Sequence, residues 1–482
     1  MLMYNDKDLS AFIDKIDSRE REVQANRNKY LTPTYEFLKI IENIIFDYIR
    51  EKKRKIYGGY AQNKLIIQKE PKDKFYEDNI IADIDFYSPD PVQDIINLCN
   101  KFNELKYENI SGSEAQHPET YTIFVEFEKV CDISYVPTNV FSRIPFVEID
   151  GIHYCGAQFM MIDLYRSFTD PLVSGLLRWK KTFPRILTLQ KHYEFQRATK
   201  KIQLPFEIND KQKELVLSII HELKNKTSTI LFGSYVYNCY IAETKINNDN
   251  NNNKIFNFLD LGYIEMISND YVNDVKKIYN HLTTTFNHET TNLSVTEFHK
   301  FWILESYSTI IYYKEVPICK IIDYGEKCAP VKIIPFTLFD NNKVIKDDKN
   351  TIQIAAYDYN FVECLIAAFK CRVNKNDQWS YYYYVMISHL IFLRKYFFDK
   401  NQNKDMFDNT LFEQFMPNCI GKTTSSIRAS MLEKLRRKAK HKIIVWKYTP
   451  ETEPKKESHP FKYKNSSGNP ITSPGKLKVF TK

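Results

Sequence analysis

The chain has 482 residues, 43% of them hydrophobic, with a formal net charge of +8 and a pI near 8.7. At about 150 residues per domain, that length predicts two or three domains rather than one core. No run of about 18 apolar residues occurs, so no membrane span is expected, and MLMYNDKDLS at the start has no apolar signal region. The nine cysteines contain no CxxC pair, which argues against a zinc module or a disulfide framework and for reduced thiols in a cytosolic setting. The mild basic excess is compatible with a polyanionic partner without requiring one.

In chain order, residues 33–50 place Phe37, Ile40, Ile41, Ile44, Ile45 and Tyr48 at helical spacing, and Pro33 suits a first turn. The basic run KKRK at 52–55 reads as a solvated helix end or as a binding patch. It leads into Ile56-Tyr57-Gly58-Gly59, a short apolar strand running into glycines before another helix. Ile80 to Tyr87 predicts a strand with acidic residues set into it, and 91–105 a helix. Tyr121 to Val136 predicts a hairpin or one long strand, and 156–168 and 177–195 predict helices.

The pattern then recurs. Ile56 to Tyr60 with Asn63 resembles Leu231 to Tyr235 with Asn238. DIDFYSPDPVQDIINLCNKF at 83–102 matches YIEMISNDYVNDVKKIYNHL at 263–282, and VCDISY at 130–135 matches ICKIID at 318–323. Order and rough spacing are kept, which predicts two tandem copies of one α/β unit. The expected division is an N-terminal segment at 1–34, a first unit at 35–204, a second at 205–402 and a final segment at 403–482. NNDNNNN at 247–253 is low-complexity and expected to be a loop. After about residue 403 the apolar pattern fades. SSIRASMLEKLRRKAKHK at 425–442 predicts a basic helix, and the Pro-, Ser-, Gly- and Lys-rich remainder a flexible tail. The basic segment reads as an RNA-holding element, a solvated helix or a nuclear address.

The chemistry centres on Asp83 and Asp85. They stand at i and i+2 in an apolar frame, so on a strand both would point to one face. Burying two adjacent carboxylates uncompensated costs several kcal/mol, which a cation between them removes. Oxygen ligands suit magnesium or manganese. Upstream, Gly58 and Gly59 let the backbone approach an anion at the start of a helix. Asp132 lies on a later strand and would complete a triad if that strand neighbours the first. Such a triad can hold two metal ions.

Gly-Gly, then DxD, then a single Asp resembles the polymerase-β-type nucleotidyltransferase superfamily. Within it, the chain is most similar to the poly(A) polymerase catalytic subunits of poxviruses and giant cytoplasmic DNA viruses. The residues that carry the likeness are YGGYAQN at 57–63, IADIDFYS at 81–88, KVCDISYVP at 129–137 and GLLRWKKTFPRILTLQKHYEF at 175–195. The resemblance implies that Asp83, Asp85 and Asp132 are catalytic and bind two Mg2+ or Mn2+ ions, and that Gly58 and Gly59 cradle the triphosphate of ATP. Lys180, Lys181 and Arg185 are candidate phosphate or base contacts, or simply a solvated helix face. The stretch QKEPKDKFYEDNI at 68–80 lengthens the Gly-to-DxD spacing and is expected to loop out. The implied activity is template-independent addition of AMP to an RNA 3′ end in a cytoplasmic viral compartment or virion, by a homodimer or with a processivity subunit. A uridylyl or oligoadenylate transferase, or a non-catalytic RNA-binding scaffold, are the alternatives.

In the second copy, Glu265 stands for Asp85 but Tyr263 for Asp83. Aligned on the cysteines, Lys320 stands for Asp132, with Asp323 as the other candidate. This copy is therefore expected to be a degenerate unit serving RNA binding or packing.

Overall fold

The computed structural model describes residues 6–31, 35–76, 82–115, 119–167, 169, 175–248, 255–324, 328–340, 343–417, 419–421 and 446–450. Its first half runs through α1 (Asp6–Leu31), α2 (Tyr35–Glu51), β1 (Lys55–Tyr57), α3 (Gly58–Lys69), β2 (Ile84–Ser88), α4 (Pro91–Glu104) and β3 (Ser111–Glu114). It continues through β4 (Thr120–Val125), β5 (Glu128–Tyr135), α5 (Thr138–Phe141), β6 (Phe146–Ile149), β7 (Ile152–Cys155), α6 (Ala157–Arg166) and α7 (Gly175–His192). The second half starts with α8 (Asp210–Glu222), β8 (Thr229–Phe232), α9 (Ser234–Thr244), β9 (Ile264–Ser268), α10 (Tyr271–Thr285), β10 (Leu293–Phe298) and β11 (Ser308–Tyr313). It ends with β12 (Val316–Asp323), β13 (Cys328–Asp340), β14 (Lys343–Ala355), α11 (Tyr357–Val373), α12 (Asp377–Lys400), β15 (Cys419–Gly421) and β16 (Lys447–Tyr448). Among the described residues, no helix is long and apolar enough to cross a membrane.

The chain is a mixed α/β protein in which one sheet is built twice. The strand order β3-β4-β5-β2-β1-β7-β6 in the first sheet recurs as β10-β11-β12-β9-β8-β14-β13 in the second. Directions recur too. β1 is antiparallel to β2 and parallel to β7, as β8 is to β9 and β14, while β2 with β5 and β9 with β12 are both parallel.

Polar pins recur with the sheets. Asn63 accepts a hydrogen bond from the Phe75 amide (2.6 Å), and Asn238 accepts one from Leu259 (2.8 Å), each tying its helix to the loop that follows. Ser88 accepts from the Asp90 amide (2.9 Å) and Ser268 from that of Asp270 (3.0 Å). Asp94 and Asp274 are buried at matching helix positions. Asp94 receives Tyr48 (2.7 Å) and a two-pronged Arg54 (2.7 and 2.8 Å), and Asp274 receives Lys226, Ser228 and Ser268.

Several expectations need correction. The basic run at 52–55 is half structural: Arg54 serves Asp94, and buried Lys55 donates to the carbonyls of Phe141 (2.6 Å) and Ile144 (2.8 Å). The strand carrying Asp85 begins at Ile84, so Asp83 sits just before it. Cys328 and Cys419 form a disulfide between β13 and β15, against the expectation that all cysteines are free. Their separation in sequence hides a pairing that only the sheet creates. The apolar pattern also extends past residue 403, since Phe412 is fully buried among Tyr240, Tyr357 and Phe397. The stretch at 68–80 is partly helical, because α3 runs on to Lys69 and a 3-10 turn follows at 71–73. The basic segment at 425–442 and most of the run at 247–253 lie outside the described residues.

Candidate active site

β2 and β5 are paired in a register that sets Asp85 beside Asp132. Alternation along β2 sends Ile84 and Phe86 into the core, and turns Asp85 and Tyr87 to the other face. Asp83, Asp85, Tyr87, Asp132 and Ser134 all line one cleft of about 730 Å³. Asp83 stands at its mouth with 71% of its side chain exposed, whereas Asp132 is 19% exposed. Burial, and then the charges of Asp132 and Asp83, push the Asp85 carboxyl up to about 7. The group is thus short of positive charge.

Lys129 supplies part of it. Its ammonium lies 2.9 Å from Oδ2 of Asp132 and 3.7 Å from Oδ2 of Asp83. Burial opposes the charge on Lys129, but its bond to Asp132 and the three neighbouring carboxylates raise its pKa on balance. Thr122, across the β4–β5 pair, donates to Oδ1 of Asp132 at 2.6 Å and fixes that side chain. Among the described residues, no three His, Cys, Asp or Glu side chains already stand in a metal-holding arrangement. The donor set nevertheless fits a hard divalent cation: three carboxylates on one cleft, one of them driven toward protonation by burial and then by the other two.

β1 ends beside this group. Gly58 has φ +72°, and a Cβ there would stand 2.5 Å from Oδ2 of Asp85, so only glycine fits on both counts. α3 starts at Gly58 with no side-chain cap on its first turn, which leaves backbone N–H groups for an anion. Arg185 on α7 leans over the same turn. Its guanidinium donates to the Tyr76 hydroxyl (2.8 Å) and lies over Phe75 and Tyr76, and a Cβ on Gly59 would meet it at 2.8 Å. Lys181, on the same helix, has its pKa lowered by burial and then by Arg185, with Asp83 and Asp85 opposing. Lys180 and Lys181 are both exposed, and neither they nor Arg185 are among the residues that line the cleft. Arg178, absent from the sequence-based candidates, does line the cleft.

The second half closes the far wall. Trp302 donates its indole N–H to the Tyr135 carbonyl (3.0 Å) and packs edge-on against Tyr87 (5.5 Å), which itself stacks on Tyr57 (3.9 Å). Arg166 donates to the Ile303 carbonyl (3.1 Å). The segment carrying Trp302 is anchored by buried Glu305, which takes Lys320 (2.9 Å) and Lys370. No pattern around Trp302 could reveal this role, since its contacts lie in the other half of the chain.

The equivalent place in the second sheet is filled. Lys320 pairs with Glu265 in register, as Asp132 does with Asp85, so Lys320 and not Asp323 occupies the third acid's position. Gly233 has φ +67°, and a Cβ there would stand 2.5 Å from Oε2 of Glu265, which repeats the Gly58–Asp85 contact. Glu265 itself is fully buried. It accepts a hydrogen bond from Tyr383 (2.7 Å), and burial raises its pKa. Tyr263 and Trp379 pack together beside it at 5.1 Å.

Two family models match the chain. One, described as the poly(A) polymerase catalytic subunit, covers residues 43–174, and the other, described as the C-terminal part of the APMV poly(A) polymerase catalytic subunit, covers residues 188–481. A protein of Acanthamoeba polyphaga mimivirus, named as a poly(A) polymerase catalytic subunit, is 34% identical over 96% of this chain and 82% of its own length. An African swine fever virus protein of the same name (isolate Pig/Kenya/KEN-50/1950) is 25% identical over 31% of this chain and 32% of its own. The crystal structure of the Megavirus polyadenylate synthase superposes with a TM-score of 0.81 at 30% identity, over 98% of this chain and 94% of that one.

Proposed function

The chain belongs to the viral poly(A) polymerase catalytic-subunit family, and on that premise we propose that it adds AMP from ATP to RNA 3′ ends without a template, with Asp83, Asp85 and Asp132 as its metal-holding acids. The observation that carries this reading is the register that sets Asp85 beside Asp132, directly under Gly58. Bound by these carboxylates, two magnesium or manganese ions would lower the pKa of the attacking 3′-hydroxyl and offset charge on the triphosphate.

The remaining roles follow from position. The backbone N–H groups of Gly58, Gly59 and the first turn of α3 receive the triphosphate, where an uncapped helix start favours an anion. Arg185 and Lys181 add positive charge on the same side. Asp132, held by Thr122, orients the primer hydroxyl. Tyr57, Tyr87 and Trp302 form an aromatic wall that keeps water from the reacting end. In this assignment residues 35–204 are the catalytic unit and 205–402 a degenerate copy that braces it. A second subunit or a second copy of the chain would confer processivity, and the enzyme would act in the cytoplasm of the infected cell.

The test is incubation of the full chain with an RNA primer, magnesium or manganese, and each nucleoside triphosphate separately. Long products with ATP alone support the proposal. Extension by UTP instead would move the assignment to a uridylyl transferase, and no extension with any nucleotide would leave a scaffold.

A further inference from the structure

Lys129 faces where an unbroken strand would not send it. Residues three apart on a regular strand point to opposite faces, yet Lys129 and Asp132 share one. The cause is an extra residue in β5. Against β4 the register runs Thr122 to Asp132, Ile123 to Cys131, and then Phe124 to Lys129, which leaves Val130 unpaired. Such a bulge re-aims the side chains beyond it, and it brings the ammonium of Lys129 between Asp132 and Asp83.

The second sheet provides an internal control. It keeps the bulge: Ile311 pairs with Cys319 and Tyr312 with Pro317, which leaves Ile318 unpaired. Lys129 corresponds to Pro317 there, while Asp83 and Asp132 correspond to Tyr263 and Lys320. The bulge belongs to the sheet in both copies. The lysine is found only in the copy that has the acids.

We infer that Lys129 is a resident counter-ion, which holds Asp83 and Asp132 together before divalent cations arrive and is displaced from between them as the cations load. The inference rests on the assignment of the three acids as metal-holding groups. A lysine suits the task because its charge is a compact point on a long flexible stem, and the side chain is 39% exposed, so it has solvent to swing into. Its consequence is a threshold. Each cation must compete with a tethered ammonium, so the chain loads metal less readily than its carboxylates alone would. Lys129 is on this reading a positioning residue, whose effect lies in metal affinity.

The test is Mn2+ binding, read from the paramagnetic resonance of free Mn2+, on the full chain at about pH 8, above the ordinary carboxylate range. Wild type, Lys129→Met and Asp85→Asn are compared. Lys129→Met is expected to bind Mn2+ about three- to tenfold more tightly than wild type, the effect of removing one partly exposed competing charge. Its metal-free melting temperature should fall, and Mn2+ should raise that temperature more than in wild type. Equal or weaker binding by Lys129→Met, with wild-type binding still lost in Asp85→Asn, overturns the counter-ion role and leaves the acids' assignment standing. Wild-type binding that persists unchanged in Asp85→Asn overturns the acids' assignment and this inference with it. If Lys129→Met does not fold, Lys129→Gln, equally uncharged but with a polar end, is judged by the same criteria.

Discussion

Gly58 lies so close to Asp85 that a Cβ on it would stand 2.5 Å from the carboxylate oxygen. Gly233 stands in the same relation to Glu265 in the second sheet, and both glycines have positive φ. Alanine at either position is therefore expected to cost stability, about 1–3 kcal/mol of backbone strain. Only Gly58→Ala should also remove nucleotide addition, because only there is the displaced carboxylate one of the proposed metal-holding acids. Denaturant unfolding and primer extension on both variants check this. An equal loss of specific activity in Gly233→Ala would assign the second site a working role.

Asp83→Asn and Asp85→Asn should each abolish addition, and Asp132→Asn should lower it by orders of magnitude, with the fold retained in circular dichroism. Glu265→Gln should leave the rate nearly untouched, because its copy has Tyr263 and Lys320 in the other two positions. Substantial turnover by folded Asp83→Asn would disprove the site.

Metal-free stability should fall as pH rises through the Asp85 titration. Its folded pKa, about 7, exceeds the ordinary 3.8. Between those values the folded state therefore holds a proton that the unfolded state has released, and that advantage is lost as pH passes the folded value. Thermal melts of the metal-free protein across this window should show the decline, and Asp85→Asn should flatten it. Added Mg2+ or Mn2+ should raise the melting temperature more above pH 7 than below it. An identical pH profile in wild type and Asp85→Asn would contradict this account.

Glu305→Gln should destabilise the protein by roughly 3–5 kcal/mol, since it strips buried Lys320 and half-buried Lys370 of their counter-charge. Burial alone would raise the Glu305 pKa, but Lys320 and Lys370 overcome it and hold the group at about 2. The stabilisation is thus complete above the ordinary 4.5 and fades as pH falls toward about 2. The gap between wild type and Glu305→Gln in denaturant unfolding should narrow over that range. Activity should fall too, because Glu305 anchors the segment that sets Trp302 on the cleft.

The meeting of three carboxylates on one cleft and the doubled sheet were legible because both depend on local pattern. The i, i+2 spacing of Asp83 and Asp85 puts both on one cleft although Asp83 precedes the strand, and alignment on Cys131 and Cys319 puts Lys320 where the sheet register puts it. What stayed hidden depends on distant partners. Arg54 and Lys55 read as a solvated run because Asp94 and the Phe141 and Ile144 carbonyls are far along the chain. Lys129 gives no such signal, because simple alternation turns it away from Asp132 and the bulge at Val130 is invisible in the sequence. Trp302, Arg178 and the Cys328–Cys419 pair are products of tertiary packing alone.

β15 belongs to the second sheet and β16 to the first, where it pairs with β3 and Tyr448 donates to Asn100 at 2.6 Å. The chain is thus fastened to a sheet at Gly421, before the basic stretch, and again at Lys447, after it. Cutting the chain before Ser425 would remove more than charge. It would strip β16 from β3 and bare a strand edge of the kind that pairs with other chains. Self-association of such a shortened protein would report an uncapped sheet, whereas neutralising Arg436, Arg437 and Lys438 in place leaves the fastening intact and isolates the contribution of charge.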